Sequence, residues 1–333
     1  MNKKIEKSER IFIAGANGMV GKSIKRSLIK LGYGLKENKG SLLTPSRKEL
    51  NLLDYKEVQN WFIKNKPTIV ILAAAKVGGI QANNSMPADF ILENLKIQNN
   101  VIENSWKTNV KRFLFLGSSC IYPKFAKQPL KEEYLLDGQL EKTNEWYAIA
   151  KIAGLKLCNA LRNQYGFDAI SLMPTNLYGP GDNYHPENSH VMAALISKFS
   201  KASLESSSFV ECWGSGTPLR EFLHVDDLGD AAVFCLENWH PSSVNSPKDE
   251  YGVALNHLNI GTGKDISIRQ LAIKIAEFCE FKGEIIWDKT KPDGTPKKQL
   301  DISKISQLGW SPKIELDDGI KQTILLYKKL IKN

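Results

Sequence analysis

Short apolar runs alternate with amphipathic stretches through the first half of the chain. Residues 10–14 (RIFIA) are apolar after the first position and run straight into Gly15, which predicts a short buried strand, a turn and a helix reaching about Gly32. Residues 55–64 place Val58, Trp61 and Phe62 at helical spacing, and 68–75 form a second continuous apolar run. A long helix over 87–106 carries Phe90, Leu95, Val101 and Ile102. Residues 113–116 predict another strand, a helix holds Tyr147 and Lys151, and 169–178 form a further strand. Strands and helices alternating in this way predict an α/β fold, a Rossmann-type doubly wound parallel sheet. Between these elements, 76–84 is too rich in glycine and amide side chains to continue a helix or a strand.

The second half reads differently. A turn at 179–182 takes the chain out of the sheet, and Asn188, Ser189 and His190 open a helix running through Lys198. A polar loop at 201–208, strands at 222–225 and 258–260, a polar insertion at 239–257 expected to be exposed, and helices at 267–278 and 316–331 complete the pattern. With 333 residues the chain is long for one core. A cofactor domain is therefore expected over 1–178 with 222–262. A smaller α/β substrate lobe is expected over 179–221 with 263–333.

The formal charge of +9 fits an anionic ligand, but the lysines are scattered, without a basic block or zinc-ligand spacing, so nucleic acid is not expected as a partner. No apolar run is long enough to span a membrane, and MNKKIEKSER lacks the apolar centre of a signal peptide. Five cysteines without a CxxC pair fit a reducing compartment, and a cytoplasmic location is expected. His224, Asp226 and Asp227 are read as fixing the return into the cofactor domain, and no metal is expected.

Chemistry concentrates at the strand ends. Gly15-Ala16-Asn17-Gly18-Met19-Val20-Gly21 follows the first strand and opens a helix, so glycines permit close approach to a pyrophosphate while free N–H groups face it. Arg47, near the end of the second strand, argues for the 2′-phosphate of NADP(H), although a solvated surface arginine is the bland alternative. The strand at 113–116 delivers Leu116, Gly117, Ser118, Ser119 and Cys120 to the carboxyl edge of the sheet. Tyr147 and Lys151, four apart on one helix, face the same way; the ammonium is expected to lower the phenol's pKa and hold the nicotinamide ribose. Ser118 can then hydrogen-bond a substrate carbonyl while Tyr147 protonates its oxygen. Trp213 offers an aromatic face and Arg220 a planar fork for a diphosphate. The 87–106 helix either meets a second subunit together with the Tyr147 helix or simply packs on the sheet.

The glycine turn, the strand-end serine and YxxxK in this order resemble the extended short-chain dehydrogenase/reductases. The strings AAAKVGGIQANN, LGSSCIYP, YAIAKIAGLKLC, MPTNLYGP, NSHV and WGSGTPLREFLHVDDL are similar to the GDP-4-keto-6-deoxymannose 3,5-epimerase/4-reductases within that family. The resemblance implies NADPH-dependent conversion of GDP-4-keto-6-deoxy-D-mannose to GDP-L-fucose, by 3,5-epimerisation and then C4 reduction, in a homodimer. It implies Cys120 as base, His190 as acid, and Ser118, Tyr147 and Lys151 as the reductive set. By resemblance, Pro174, Thr175, Asn176, Leu177 and His190 line the nicotinamide, and Lys198, Trp213, Arg220 and Asp293 contact the GDP-sugar. Two positions depart from that pattern: Asn17 where arginine is frequent, and Lys198 in place of an arginine. The same chemistry on a GDP-linked heptose or dideoxy sugar is the closest rival, with a sugar-nucleotide 4-epimerase behind it. A 4,6-dehydratase needs an acidic residue where Cys120 and Ile121 stand.

Overall fold

The computed structural model describes residues 3–186 and 189–332. Its elements in order are β1 Arg10–Ala14, α1 Met19–Lys30, β2 Ser41–Leu43, α2 Tyr55–Asn65, β3 Ile69–Leu72, α3 Ile80–Ser85, α4 Pro87–Lys107, β4 Arg112–Leu116, α5 Glu145–Tyr165, β5 Ala169–Pro174 and β6 Asn176–Tyr178. There follow α6 Val191–Leu204, β7 Phe209–Trp213, β8 Leu219–His224, α7 Val225–Asn238, β9 His257–Ile260, β10 Asp265–Ser267, α8 Ile268–Phe278, β11 Glu284–Asp288, β12 Lys297–Lys298, α9 Ser303–Gln307 and α10 Leu316–Lys332.

Six parallel strands form the main sheet in the order β2-β1-β3-β4-β5-β9. Nearly continuous burial along β1, β3, β4 and β5 follows from helices on both faces. One face packs α1 and α7 over Ile11, Ile13, Leu114 and Leu172; the other packs α2, α4 and α5 over Phe12, Val70, Phe113 and Phe115. The strand order reverses between β1 and β3, and in open sheets of this kind ligands enter at the carboxyl ends beside that reversal. A third core, built from Tyr178, Met192, Phe199, Leu271, Ile275 and Ile324, packs α6, α8 and α10 beside the paired strands β7 and β11.

Several boundaries differ from the pattern-based expectation. The apolar run 169–178 is split: β5 stays in the main sheet, whereas β6 pairs with β8 in a second sheet. Thr175 is the pivot, its N–H donating to the Ile260 carbonyl at 3.0 Å and its hydroxyl to the Glu221 carbonyl at 3.2 Å. Residues 80–85 do form a helix, because the Asn83 amide donates to the carbonyls of Gly78 and Gly79 and closes the preceding turn. α6 continues past the expected loop start to Leu204, since Phe199 and Ala202 bury their side chains in the third core. The 239–257 segment is exposed through its middle, Val244, Tyr251 and Val253 among its exposed residues, whereas Trp239, Leu255 and His257 towards its ends are buried. Of the predicted helix start, Asn188 lies outside the described residues, and α6 begins after His190.

Trp239 also closes a buried ion network at the far end of the sheet. Arg112, 2 % exposed, donates to Asp168 at 2.6 Å and to the Trp239 carbonyl, and Arg162 also pairs with Asp168. Asp168→Ala leaves the Arg112 guanidinium buried without its counter-ion, which is expected to cost about 3–5 kcal/mol. Urea unfolding should show the midpoint falling accordingly, and an unchanged midpoint would remove Asp168 from the account of stability. Among the described residues no helix is long and apolar enough to cross a membrane.

Candidate active site

A cleft of about 1300 Å³ runs from the carboxyl ends of β1 and β3 to the second lobe. That volume exceeds the roughly 300–1,000 Å³ of a pocket for one small ligand, so it accommodates a cofactor and a substrate together. Every residue singled out from the sequence as a site candidate lines it.

At its sheet end the glycine turn behaves as its spacing requires. Gly15 has φ +88°, and a Cβ there would lie 2.7 Å from the Ala74 nitrogen; a Cβ on Gly21 would lie 2.2 Å from the Gly15 carbonyl oxygen. Only glycine permits this closeness of turn, helix and β3. α1 starts at Met19 with Gly18 as its N-cap and no side chain bonded to its first N–H groups, which leaves donors and the positive end of the helix dipole for an anion. Ala16, Asn17 and Val20 complete this wall, and Arg47 stands exposed beside it with no hydrogen bond or ion pair among the described residues. The donors, the glycine cradle and the free guanidinium fit a dinucleotide carrying an extra phosphate.

At the centre, β4 ends at Leu116 and a single 3₁₀ turn over Ser119–Ile121 follows, with Ser118 at its cap accepting from the Cys120 N–H at 3.2 Å. This turn aims Ser118 and Cys120 into the cleft opposite Tyr147. The Cys120 sulfur receives two hydrogen bonds, from Lys298 Nζ at 3.3 Å and Asn144 Nδ2 at 3.4 Å. Burial alone raises this thiol, but the charge of Lys298, with Ser118 and Arg220, outweighs it, and the net pKa lies below the ordinary cysteine value. His190, open to the cleft at the cap of α6, is lowered by desolvation and then by Lys298.

The tyrosine–lysine pair is arranged differently from the expectation. Lys151 is buried, donates to the Leu116 carbonyl at 2.8 Å, and its Nζ lies 5.0 Å from the Phe115 ring centre and 5.8 Å from that of Tyr147. Burial pushes its pKa down to about 8. The Tyr147 phenol is raised rather than lowered, by burial first and by the nearby Cys120 second, with Ser118 pulling it back. A phenol so held keeps its proton at neutral pH, as a proton donor must. Pro174, Thr175, Asn176 and Leu177 form the wall facing these groups, with the Asn176 amide donating to the Glu221 carbonyl at 2.8 Å.

In the second lobe the Trp213 ring sits between two ammonium groups, Lys198 Nζ at 5.3 Å and Lys291 Nζ at 5.4 Å from its centre. Lys198 also donates to the Glu211 carbonyl at 2.7 Å. Trp213 is 44 % exposed, so it is a cleft wall and not ordinary core packing. Arg220 donates to the Asp293 main-chain carbonyl at 3.2 Å. The Asp293 carboxylate accepts from Ser215, N–H at 2.8 Å and hydroxyl at 2.7 Å, tying the 291–298 loop to the Trp213 turn. Glu221, fully buried, accepts main-chain N–H groups of Gly263 at 2.8 Å and Leu300 at 2.7 Å and so fixes the other end of that loop. His224 is a helix cap, accepting from the Asp226 N–H at 3.2 Å, while Asp226 pairs with Arg26 and Asp227 accepts from the Ile314 N–H. All three are engaged in holding α7 to its surroundings.

The parallel sheet, the glycine turn at its switch point and the serine–tyrosine–lysine set define a nicotinamide-dependent enzyme of the extended short-chain dehydrogenase/reductase type. The chain belongs to the NAD dependent epimerase/dehydratase family, whose pattern matches residues 11–247. It is 52% identical to GDP-L-fucose synthase 1 of Arabidopsis thaliana over 98% of this chain and 96% of that protein. It is 50% identical to the GDP-L-fucose synthase of Escherichia coli K12 over 95% of each. Among solved structures it is similar to a GDP-mannoheptose C4 reductase of Campylobacter jejuni with NADP bound, with a TM-score of 0.85, 38% identity, and 97% and 99% of the two chains covered.

Proposed function

We infer that this chain converts GDP-4-keto-6-deoxy-D-mannose to GDP-L-fucose, epimerising C3 and C5 and then reducing the C4 ketone with NADPH. The observation that carries the reading is one cleft holding a thiol with a depressed pKa and a histidine alongside a complete serine–tyrosine–lysine set. A simple ketone reductase has no use for the first two. We assign the cofactor to residues 1–178 with 222–262, and the sugar nucleotide to 179–221 with 263–333.

The C4 ketone acidifies the protons at C3 and C5. Cys120 as thiolate removes each one, and His190 returns a proton to the opposite face. Ser118 then holds the C4 oxygen by a hydrogen bond and Tyr147 gives it a proton. Lys151, anchored on the Leu116 carbonyl, would hold the nicotinamide ribose. NADPH, when bound along the glycine turn, supplies the hydride. Lys198 and Arg220 bind the diphosphate and Trp213 packs on the substrate, with Asp293 holding that wall in place.

Identity near one half to GDP-L-fucose synthases, against 38% to the heptose reductase, favours the fucose substrate. Supplying each 4-keto sugar with NADPH and comparing kcat/KM tests it: the 6-deoxymannose ketone should be preferred, and preference for the heptose would overturn the assignment. We place the enzyme in the cytoplasm, in keeping with five free thiols. We also assign a homodimer joined through α4 and α5, whose outer faces leave Leu92, Trp146 and Tyr165 exposed. The Arg47 guanidinium is assigned to the 2′-phosphate. Arg47→Ala should raise the KM for NADPH about tenfold or more, from the loss of a charge-assisted bond of ~1.5–3 kcal/mol, with NADH unaffected. Equal effects on both cofactors would reject that contact.

A further inference from the structure

We propose that Lys298 is a positioning residue that holds Cys120 as the thiolate required for proton abstraction, so that the second lobe supplies the charge which arms the base of the first. This rests on the reading of Cys120 as the epimerisation base.

Lys298 lies 178 positions from Cys120 in the chain, yet its Nζ is 3.3 Å from the sulfur. It forms no ion pair with any carboxylate among the described residues, whereas the adjacent Lys297 pairs with Asp265 at 3.2 Å. An ammonium left without a carboxylate partner and aimed at a thiol is matched by the sulfur's other contact. Asn144 also donates to it, and the Asn144 carbonyl oxygen is buried without a partner. The sulfur accepts both of these hydrogen bonds, which is the surrounding an anion needs and a thiol proton does not.

The placement is built, not accidental. β12 pairs in parallel with β8, setting Lys298 beside Arg220 in register. On one side Gln128 accepts from the Gln299 N–H at 3.0 Å and donates to the Lys297 carbonyl at 3.3 Å; on the other Glu221 accepts from Leu300. The loop before it is tied to the substrate wall through Asp293 and Ser215. Lysine 298 is thus held from the 120s turn and from the second lobe at once. The charged and titratable groups around the sulfur are Lys298 and Arg220 from β12 and β8, Tyr147 from α5, His190 from the start of α6, and Glu141, which is engaged by Lys124 at 2.8 Å. The two cations are the groups that favour the thiolate.

The test is the pH dependence of alkylation by iodoacetamide in the full chain without substrate, with the modified residue identified by mass spectrometry; the other four cysteines are buried. Lys298→Met should slow Cys120 alkylation at pH 7 about tenfold or more and move the midpoint of the rate curve upward, with rates converging where the thiol is ionised in both proteins. Lys298→Arg should restore much of the wild-type curve, which a merely structural loss would not explain. An unmoved midpoint in Lys298→Met, with deuterium still entering the sugar at C3 and C5, would overturn the role of Lys298 and leave the base assignment standing. A midpoint moved in Lys298→Met, together with a wild-type enzyme that never exchanges C3 or C5, would instead remove Cys120 as the base, and the proposal with it.

Discussion

Cys120→Ser is expected to suppress proton exchange at C3 and C5 by ~10²–10⁴-fold, the usual worth of a positioned general base. The substitution keeps the side chain's shape and its place at the end of β4, where Ser118 accepts from the N–H of residue 120. What it removes is the acidity. A thiol lowered below its ordinary value by Lys298, Ser118 and Arg220 ionises more readily than an ordinary cysteine, whereas an alcohol in the same place does not ionise. The proton inventory also has a sign: the active form is the deprotonated one, so exchange should fall as pH drops through the depressed thiol pKa. Reduction of an already epimerised ketone should survive in the variant, since Tyr147, Lys151 and the glycine turn are untouched. Loss of both activities in equal measure would mean that residue 120 shapes the site instead of serving one step.

Tyr147→Phe should do the reverse. Removing the phenol takes away the proton that the C4 oxygen receives as hydride arrives, and NADPH oxidation should fall by ~10²–10⁴-fold while exchange at C3 and C5 continues. The raised pKa sharpens this expectation, because burial keeps the phenol protonated across the neutral range and ready to donate in the reductive direction. Deuterium should therefore accumulate in unreduced ketone. A variant that neither exchanges nor reduces would show that the Tyr147 hydroxyl serves both steps, because phenylalanine keeps the ring that packs edge-on against Phe90 at 6.4 Å.

The division of these roles shows which parts of the site a sequence reveals. Gly15 and Gly21 are legible because a turn packed this closely against the chain beyond β3 and against its own helix admits only glycine there, and the requirement is local. The tyrosine and lysine four apart are legible because a helix places them on one face. Lys298 and Asn144 are not: their contact with the sulfur depends on how β12 docks beside β8 and how the chain before α5 wraps the cleft. The basic loop at 291–298 signals phosphate chemistry by composition alone, and only the fold separates Lys298, at the thiol, from Lys291, at the tryptophan face. The electrostatics of the site is illegible for the same reason. Spacing alone predicts that Lys151 acts on the phenol, but burial dominates both groups once the cleft is formed.

Boundaries failed where polar side chains compensate for what periodicity lacks. The Asn83 amide closes the turn ahead of α3, and Trp239 is buried at the head of a segment whose composition reads as surface. The split of 169–178 between two sheets falls at Thr175, just after Pro174 ends β5, and Thr175 bonds to a strand of each. That split matters for function. It opens the main sheet at the cleft and places Thr175 and Asn176 opposite the serine–tyrosine–lysine set.

The most direct measurement is mass and NMR analysis of the sugar nucleotide formed from GDP-4-keto-6-deoxy-D-mannose and NADPH in deuterated water. GDP-L-fucose carrying solvent deuterium at both C3 and C5, with the C4 hydrogen derived from the cofactor, is the predicted result. A reduced sugar with protium retained at C3 and C5 would contradict the account.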